Sequence, residues 1–140
     1  MKTVPQLEFA DARRMADAAL REAQAAGVAV SVAVCDAAGR LLVFLRDDRA
    51  LGISVDLAPA KARTAALVGA PSRQLEQAVN RGYPALATLP GYALLGGAVE
   101  VRAGGHVVGG IAVSGAESGE KDEALARAGL AALEAAGEGP

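Results

Sequence analysis

The stretch Gly96–Ala116, GGAVEVRAGGHVVGGIAVSGA, decides the predicted fold. Two apolar runs rich in Val and Ala, Ala98–Arg102 and His106–Ser114, flank the Gly-rich connection Ala103–Gly105. Apolar runs on either side of a short Gly-containing turn are typical of an antiparallel β-hairpin. This part of the chain therefore predicts two neighbouring strands.

After this hairpin, the C-terminal part of the chain is predicted to be helical. A Gly/Ser/Glu loop spans Gly115–Lys121, and an Ala/Leu stripe then runs through Asp122–Ala136. Asp at the start of such a stripe favours capping, so Asp122 is expected to be the N-cap. The last four residues, Gly137–Pro140, are expected to fray.

A second hairpin is predicted nearer the N-terminus. Val28–Cys35 is β-branched and apolar, Asp36–Gly39 has the residues of a tight turn, and Arg40–Arg46 is apolar again. Before it, Leu7–Ala26 carries apolar residues at three- and four-residue spacing. That spacing indicates an amphipathic helix.

Between the hairpins the sequence predicts two further helices. Asp56 is expected to cap a helix over Leu57–Val68. Ser72 is expected to cap a second, short helix that ends at Asn80–Gly82. Tyr83–Tyr92 contains two prolines and is predicted to be loop with a short turn of helix.

This order of elements predicts one α/β (α+β) domain over residues 1–140. Two antiparallel hairpins with helices on both faces form a three-layer α/β/α sandwich. The sheet is expected to have four or five strands, and any short strand near Ala93–Leu95 is the fifth.

Composition excludes several classes of protein. With 3% aromatic residues and a net charge of −2, the chain has neither the stacking surfaces nor the basic patch of a nucleic-acid-binding protein. No apolar run is long enough for a membrane span, and the N-terminus lacks the apolar core of a signal peptide. One Cys and one His make a zinc site implausible. A cytoplasmic location is expected.

Four ordered segments resemble the GlcG/HbpS-like family and the C-terminal domain of PduO-type cobalamin adenosyltransferases, over nearly the whole chain. They are the opening helix, VAVSVAVCDAAGRLLVFLRDD (28–48), Ser54 with APAKARTA (58–65), and Gly96-Gly97 with GGHVVGGIAVSGAESGEKDEALARAG (104–129). The resemblance implies a profilin-like fold with a five-stranded antiparallel sheet. It also implies homo-oligomers, dimers or octamers, and some family members bind haem at subunit contacts.

The sequence departs from the family pattern at three places. Glu100 stands where the family usually has Pro, and the Arg-Met-Asp-Gly-like stretch reads Arg46–Arg49 here. The opening helix has no His, although a His there is a haem ligand in some relatives. The missing His and the small number of aromatic residues weaken the expectation of haem.

Lys61 lies in an otherwise apolar helix, and two interpretations are open. It is either a surface lysine whose stem lies along apolar residues, or a cation at a pocket. The family motif favours the pocket. If Glu100 faces Lys61, the two form an acid–base pair that can move a proton next to a carbonyl, and both are then candidate catalytic residues.

Other candidate binding residues lie near Lys61 or at strand ends. Thr64 shares the helix face of Lys61, although a hydrogen bond to a carbonyl one turn back is its ordinary role. Arg46 is a candidate anion anchor. Ser114 lacks the His partner and Gly-x-Ser-x-Gly elbow of a nucleophile and is expected to be structural. The candidate set is completed by Asp48, Ser54, Gly96 and Gly97.

The Gly-Gly pairs are expected to serve packing and not phosphate binding. Neither a Gly-x-Gly-x-x-Gly between strand and helix nor a Gly-Lys-Ser/Thr is present. Gly109-Gly110 inside a strand allows a helix or another subunit to approach closely. Gly96-Gly97 permits an unusual backbone path beside a pocket.

Haem ligands are scarce in this sequence. His106, the only His, lies at a predicted hairpin tip and is a candidate ligand only if another subunit covers it. Met15 falls on a core stripe, and Tyr83 and Tyr92 flank loop prolines. Cys35 is expected to be a core residue. No metal site is predicted.

Three functions are open at this level. The first is a small-molecule-binding homo-oligomer of the GlcG/HbpS type, whose ligand is haem, a corrinoid or a small organic acid. The second is a small cofactor-free isomerase or lyase that acts on a carbonyl or carboxylate substrate through Lys61 and Glu100. The third is an oligomeric scaffold without a ligand.

Overall fold

The fold consists of four helices, one 3₁₀ helix and four strands within residues 1–137, the part of the chain that the computed structural model describes. In chain order the elements are α1 (Phe9–Ala25), β1 (Ser31–Asp36), β2 (Leu41–Arg46), α2 (Ser54–Val68), α3 (Arg73–Asn80), a 3₁₀ helix (Pro84–Thr88), β3 (Ala98–Ala103), β4 (His106–Ser114) and α4 (Gly119–Gly137).

The sheet is antiparallel, with the order β2-β1-β4-β3. Each predicted hairpin forms, and β1 and β4 pair in the centre, with Ser31 opposite Ser114. The expectation of a fifth strand near Ala93–Leu95 is wrong for the described residues. The amide of Ala93 donates its hydrogen bond to Oγ1 of Thr64 on α2, so this segment is held against a helix and not beside a strand.

Helices cover both faces of the sheet, as predicted. On one face α1 and α4 pack against each other and against a core of Val30, Val32, Val99, Ile111 and Val113. On the other face α2 lies on β1, β3 and β4 through small side chains, among them Ala62 and Ala65 against Ala33 and Ala112. The domain is therefore a three-layer sandwich with one Val-rich and one Ala-rich interface.

The Ala-rich interface depends on glycine in the central strand. A Cβ atom at Gly110 would lie against the carbonyl group of Ala62, far inside van der Waals contact. Gly110 is therefore the residue that lets α2 approach the sheet backbone, as predicted for this strand pair.

None of the three predicted caps makes a capping hydrogen bond in the described residues, although Ser72 does occupy the predicted N-cap position of α3. α2 begins at Ser54, two residues before Asp56. The hydroxyl of Ser72 accepts a hydrogen bond from the amide of Ala98 on β3. α4 begins before Asp122, and Oγ of Ser118 accepts from the amide of Lys121 instead.

The ends of the chain add two observations. The predicted fraying of Gly137–Pro140 lies, beyond its first residue, outside the described residues. Within residues 1–137 no helix is both long enough and apolar enough to cross a membrane.

Candidate functional site

A cavity of about 230 Å³ opens where β4 ends and α4 begins; we call it the Lys61 pocket. It brings together Ser54, Lys61 and Gly96, three of the predicted binding residues. The loop between β4 and α4 forms one wall and the start of α2 another. The lining residues are Leu51, Ile53, Ser54, Leu57, Lys61, Glu76, Leu95, Gly96, Ser114, Gly115, Ala116, Ser118, Gly119 and Asp122.

A buried ion pair forms the base of the pocket. Nζ of Lys61 lies 3.1 Å from Oδ2 of Asp122, and the two side chains are 4% and 6% exposed. Nζ also donates to the carbonyl oxygen of Val113 at 3.3 Å. Lys61 is therefore a buried cation that joins α2 to β4 and α4, and the surface-lysine interpretation is wrong.

Asp122 holds the loop in place with its other carboxylate oxygen. Oδ1 accepts a hydrogen bond of 2.8 Å from the amide of Ala116. Both oxygens of this carboxylate thus have a donor, which is what a buried charge requires. Asp122 does not act as an N-cap; it fixes the loop to the lysine.

Gly97 gives the backbone room to pass beside the ion pair. Its φ is +131°, which disfavours any side chain, and a Cβ there would lie 2.7 Å from Nζ of Lys61 and 2.8 Å from the carbonyl oxygen of Val113. The predicted role of Gly97 as a backbone residue beside a pocket agrees with this geometry.

Ser54 and Ser114 line the pocket, and Ser31 lies behind Ser54 in hydrogen-bond contact with it. Oγ of Ser54 donates to the carbonyl of Leu51, so in its 2.8 Å contact with Ser31 it is Ser31 that donates. Ser114 is 4% exposed and lines the cavity. Unlike the other two hydroxyls, that of Ser114 has no hydrogen-bond partner within residues 1–137.

The mouth of the pocket combines one carboxylate with apolar side chains. Glu76 on α3 is half-buried and lines the cavity. Leu51, Ile53 and Leu95 are 65%, 60% and 41% exposed around it. Exposed apolar side chains around a polar cavity are typical of a ligand or partner contact.

The remaining predicted binding residues do not line this pocket. Arg46, at the end of β2, and Asp48 are exposed. Thr64 is fully buried; its hydroxyl donates to the carbonyl of Ala60 at 2.8 Å and accepts from the amide of Ala93. Thr64 therefore has the ordinary role considered for it, a hydrogen bond one turn back.

Glu100 does not form the predicted acid–base pair with Lys61. Its carboxylate lies 3.5 Å from Nε of Arg102, whereas the carboxylate beside Lys61 belongs to Asp122. Because Lys61 has a closer buried partner, the contacts do not support the isomerase or lyase hypothesis.

A larger cavity, about 480 Å³, lies beside the β3–β4 hairpin; we call it the hairpin cavity. Its walls are mainly apolar, with Leu7, Val108, Leu130 and Leu133 among them. Ala103 also lines it and pairs directly with His106 across the hairpin. Directly opposed residues of an antiparallel pair point to the same face, so the half-buried His106 belongs to the cavity side of the sheet.

Arg14 is the cation that this cavity offers to a ligand. It is exposed at the cavity and has no ion-pair partner within residues 1–137. Arg102 also lines the cavity, but its guanidinium donates to the carbonyl of Gly69 at 2.9 Å on the other face of the sheet.

The other nominal haem ligands are unsuitable in this chain. Met15 is fully buried in the core. Burial raises the pKa of the Cys35 thiol to about 11, so it is protonated at neutral pH. The ring of Tyr92 lies 5.2 Å from the guanidinium of Arg63, and Tyr83 is exposed on a loop. No cluster of metal-binding side chains occurs in residues 1–137.

Sequence reasoning missed two residues of the Lys61 pocket. Asp122 was expected to be an N-cap, and Glu76 was not among the candidate residues. Lys61 and Asp122 are 61 residues apart, and no periodicity signals a contact over that separation. A buried lysine requires an anionic partner. The signal available in the sequence was therefore Lys61 itself, which called for a carboxylate elsewhere in the chain.

Comparison with known proteins identifies the family. A family model described as "Haem degrading protein HbpS-like" matches residues 7–131. The chain belongs to the HbpS-like family. GlcG of Escherichia coli K12 is 37% identical over 114 residues, which are 81% of this chain and 85% of GlcG.

Two solved structures share both fold and sequence with the chain. A double mutant of HbpS from Streptomyces reticuli superposes with a TM-score of 0.89 at 41% identity, covering 95% of this chain and 90% of that protein. A complex of PduOC with haem superposes with a TM-score of 0.85 at 33% identity, covering 91% and 95%. The resemblance expected from the sequence is thus confirmed.

Proposed function

We propose that this protein binds haem in the hairpin cavity, with His106 as the iron ligand. The observation that carries the proposal is the haem complex of PduOC, a protein of the same fold at 33% identity. The description of the family as haem-degrading and HbpS-like supports the same ligand.

The residues around the hairpin cavity fit the chemistry of haem. A macrocycle needs apolar walls, which Leu130 and Leu133 supply. Its propionate carboxylates need a cation, and Arg14 has a guanidinium with no partner in the described chain. Iron needs an axial ligand such as imidazole, which His106 can offer. Haem, when bound, supplies a redox-active iron.

A second copy of the chain is expected to complete this site. His106 lies at the start of β4 and is half-buried in a single protomer, so one side of a haem bound to it would face solvent. A homo-oligomer in which hairpins meet would cover that side. The resemblance to a family with haem at subunit contacts favours this arrangement.

A haemin titration followed by absorbance tests the proposal. Wild-type protein is expected to develop a shifted Soret band that saturates at a fixed haem-to-protomer ratio. His106→Ala is expected to abolish the shift, whereas Tyr83→Phe, which removes an exposed alternative ligand, leaves it unchanged. An unchanged Soret shift in His106→Ala would contradict the assignment of the ligand.

A pair of arginine variants tests the role of the cavity itself. Arg14→Gln is expected to weaken haemin binding about tenfold, because a charge-assisted hydrogen bond to a carboxylate is lost. Arg21→Gln, exposed on the same helix but away from the cavity, is the control. The same titration with hydroxocobalamin tests the corrinoid alternative and is expected to show no binding.

A further inference from the structure

We propose that the Lys61 pocket is a second binding site, for a short carboxylate that carries a hydroxyl or ammonium group on the adjoining carbon. This site is separate from the proposed haem site. Ser114 and His106 are the two ends of β4, a strand of nine residues. At about 3.3 Å per residue they are about 26 Å apart, so the two ligands would not overlap.

The base of the pocket presents hydrogen-bond donors. The ammonium group of Lys61 has three N–H bonds, and two of them go to Asp122 and Val113. Ser114 adds a buried hydroxyl without a partner in the described chain, accessible from the cavity. Hydrogen-bond donors of this kind recognise a carboxylate group, and here they lie beside a buried ion pair.

The amino end of α4 adds backbone N–H donors at the base, where the charges of Lys61 and Asp122 offset each other. Gly119, the first residue of this 19-residue helix, lines the cavity. Lys121 and Asp122 donate their amides to Ser118, which leaves the amides of the first two residues without an acceptor inside the helix. Such a helix end favours a negative charge beside it.

The mouth of the pocket presents the opposite chemistry. Glu76 lines the cavity, is half-buried and has no ion-pair partner within residues 1–137. A ligand that was only a carboxylate would meet this second negative charge. A hydroxyl or ammonium group on the ligand would instead donate to Glu76, so the pocket favours a ligand with both groups.

Cavity size limits the ligand to a short chain. The volume of about 230 Å³ is below the range of roughly 300–1,000 Å³ typical of drug-sized ligands. The apolar side chain of Leu57 also lines the cavity and offers contact surface for a methyl-sized group.

Isothermal titration calorimetry with three molecules of one carbon skeleton tests this inference. L-Alanine carries an ammonium group beside its carboxylate, L-lactate a hydroxyl group and propionate neither. Alanine or lactate is expected to bind at least about tenfold more tightly than propionate, because propionate cannot donate the hydrogen bond to the charged Glu76 carboxylate. Whichever of the two binds more tightly identifies the donor.

Two variants assign the binding to the pocket. Ser114→Ala is expected to weaken the tighter ligand about tenfold, and Glu76→Gln to remove most of the preference over propionate. Glu22→Gln, on the exposed face of α1, is the control and leaves the affinity unchanged.

Two results would overturn the inference: no heat of binding for alanine or lactate at millimolar concentration, or the same affinity in Ser114→Ala and Glu76→Gln as in wild type. Haemin binding by Ser114→Ala is expected to equal that of wild type. Failure of this site therefore leaves the haem proposal standing, and loss of haem binding would not affect the calorimetry.

Discussion

At the residue scale, Lys61 and Asp122 determine how the chain closes around its pocket. Each charge is buried, and each is satisfied by the other and by backbone groups of the adjoining strand and loop. Removal of one partner leaves an uncompensated charge in the interior, which is far more costly than removal of an exposed pair. The pair therefore both stabilises the fold and shapes the base of the pocket.

Asp122→Ala is expected to lower the free energy of unfolding by about 3–5 kcal/mol, because Lys61 loses its buried partner. The double variant Lys61→Met/Asp122→Leu is expected to recover much of that loss, since no unpaired charge remains. Urea unfolding measures both. Lys121→Gln removes the exposed pair with Glu117 in the same helix region and is the control. A loss in Asp122→Ala no greater than in this control would contradict the role given to the pair.

Gly97→Ala is expected to destabilise the protein by about 3 kcal/mol or more. Part of the cost is the positive φ, about 1–2 kcal/mol for a residue with a side chain, and part is the contact of the new Cβ with Lys61 and Val113. Gly82→Ala is the matched control, with a φ of +113° and no atom within 4 Å of a Cβ. Equal melting temperatures of the two variants would show that the ion pair leaves room for a side chain at residue 97.

The stability of the protein is expected to fall between pH 9 and about pH 11 because of Cys35. Burial raises the pKa of this thiol from 9.0 to about 11 in the folded state, so the unfolded chain loses the proton first and is favoured as the pH rises through this window. The full difference corresponds to about 3 kcal/mol. Urea unfolding of wild type and Cys35→Ala at pH 8 and 11 measures it, and parallel losses in the two proteins would contradict the effect.

Residue-level roles could be predicted only where chemistry is local. Gly97 was expected to shape the backbone beside a pocket, and its torsion angle agrees. Lys61 was expected to meet a carboxylate, but the partner depends on a contact between distant parts of the chain. Glu100 was a candidate only if it faced Lys61, and its carboxylate instead forms an ion pair with Arg102 on the same strand.

At the scale of elements, small residues set the distance between α2 and the sheet. Ala58, Ala62 and Ala65 pack in one cluster with the small residues of β1 and β4, which are Ala33, Cys35 and Ala112. Gly110 is the closest point, because even a methyl group there would meet the carbonyl of Ala62. Close approach places Lys61, on the same helix, near the end of β4.

Gly110→Ala is expected to lower the free energy of unfolding by about 3 kcal/mol or more, since α2 would have to move off the sheet. Gly52→Ala, which has no atom within 4 Å of its Cβ, is the control and is expected to change stability little. Circular dichroism during urea unfolding compares them. Equal free energies of unfolding for the two variants would mean that α2 can move off the sheet without a loss of stability.

Elements were predictable where periodicity was strong. Both hairpins, the first and last helices and the short 3₁₀ turn were expected within a few residues of where they occur. Caps were predicted poorly because Ser72 and Asp122 bond to distant strands and helices in place of their own helix ends. The fifth strand was expected from the family resemblance, but in this segment the amide of Ala93 donates a hydrogen bond to Oγ1 of Thr64 on α2.

At the scale of the whole molecule, two cavities lie near opposite ends of β4 and have different chemistry. The hairpin cavity has mainly apolar walls with charged residues among them and has His106 on its side of the sheet, whereas the Lys61 pocket is small and has an ion pair at its base. The layer order follows from sequence patterning, but the Lys61 pocket is lined in part by loops whose paths patterning does not encode. We expect copies of the chain to contact each other at the β3–β4 hairpin, because a second copy would shield a haem bound at His106 from solvent.

Non-denaturing mass spectrometry of the protein, produced in cells supplied with haem, tests the central claim most directly. It reports the oligomer size and any retained small molecule together. Wild type is expected to appear as an oligomer that carries haem, and His106→Ala as protein without haem. Haem-free wild-type protein, or equal haem loading in wild type and His106→Ala, would contradict the account.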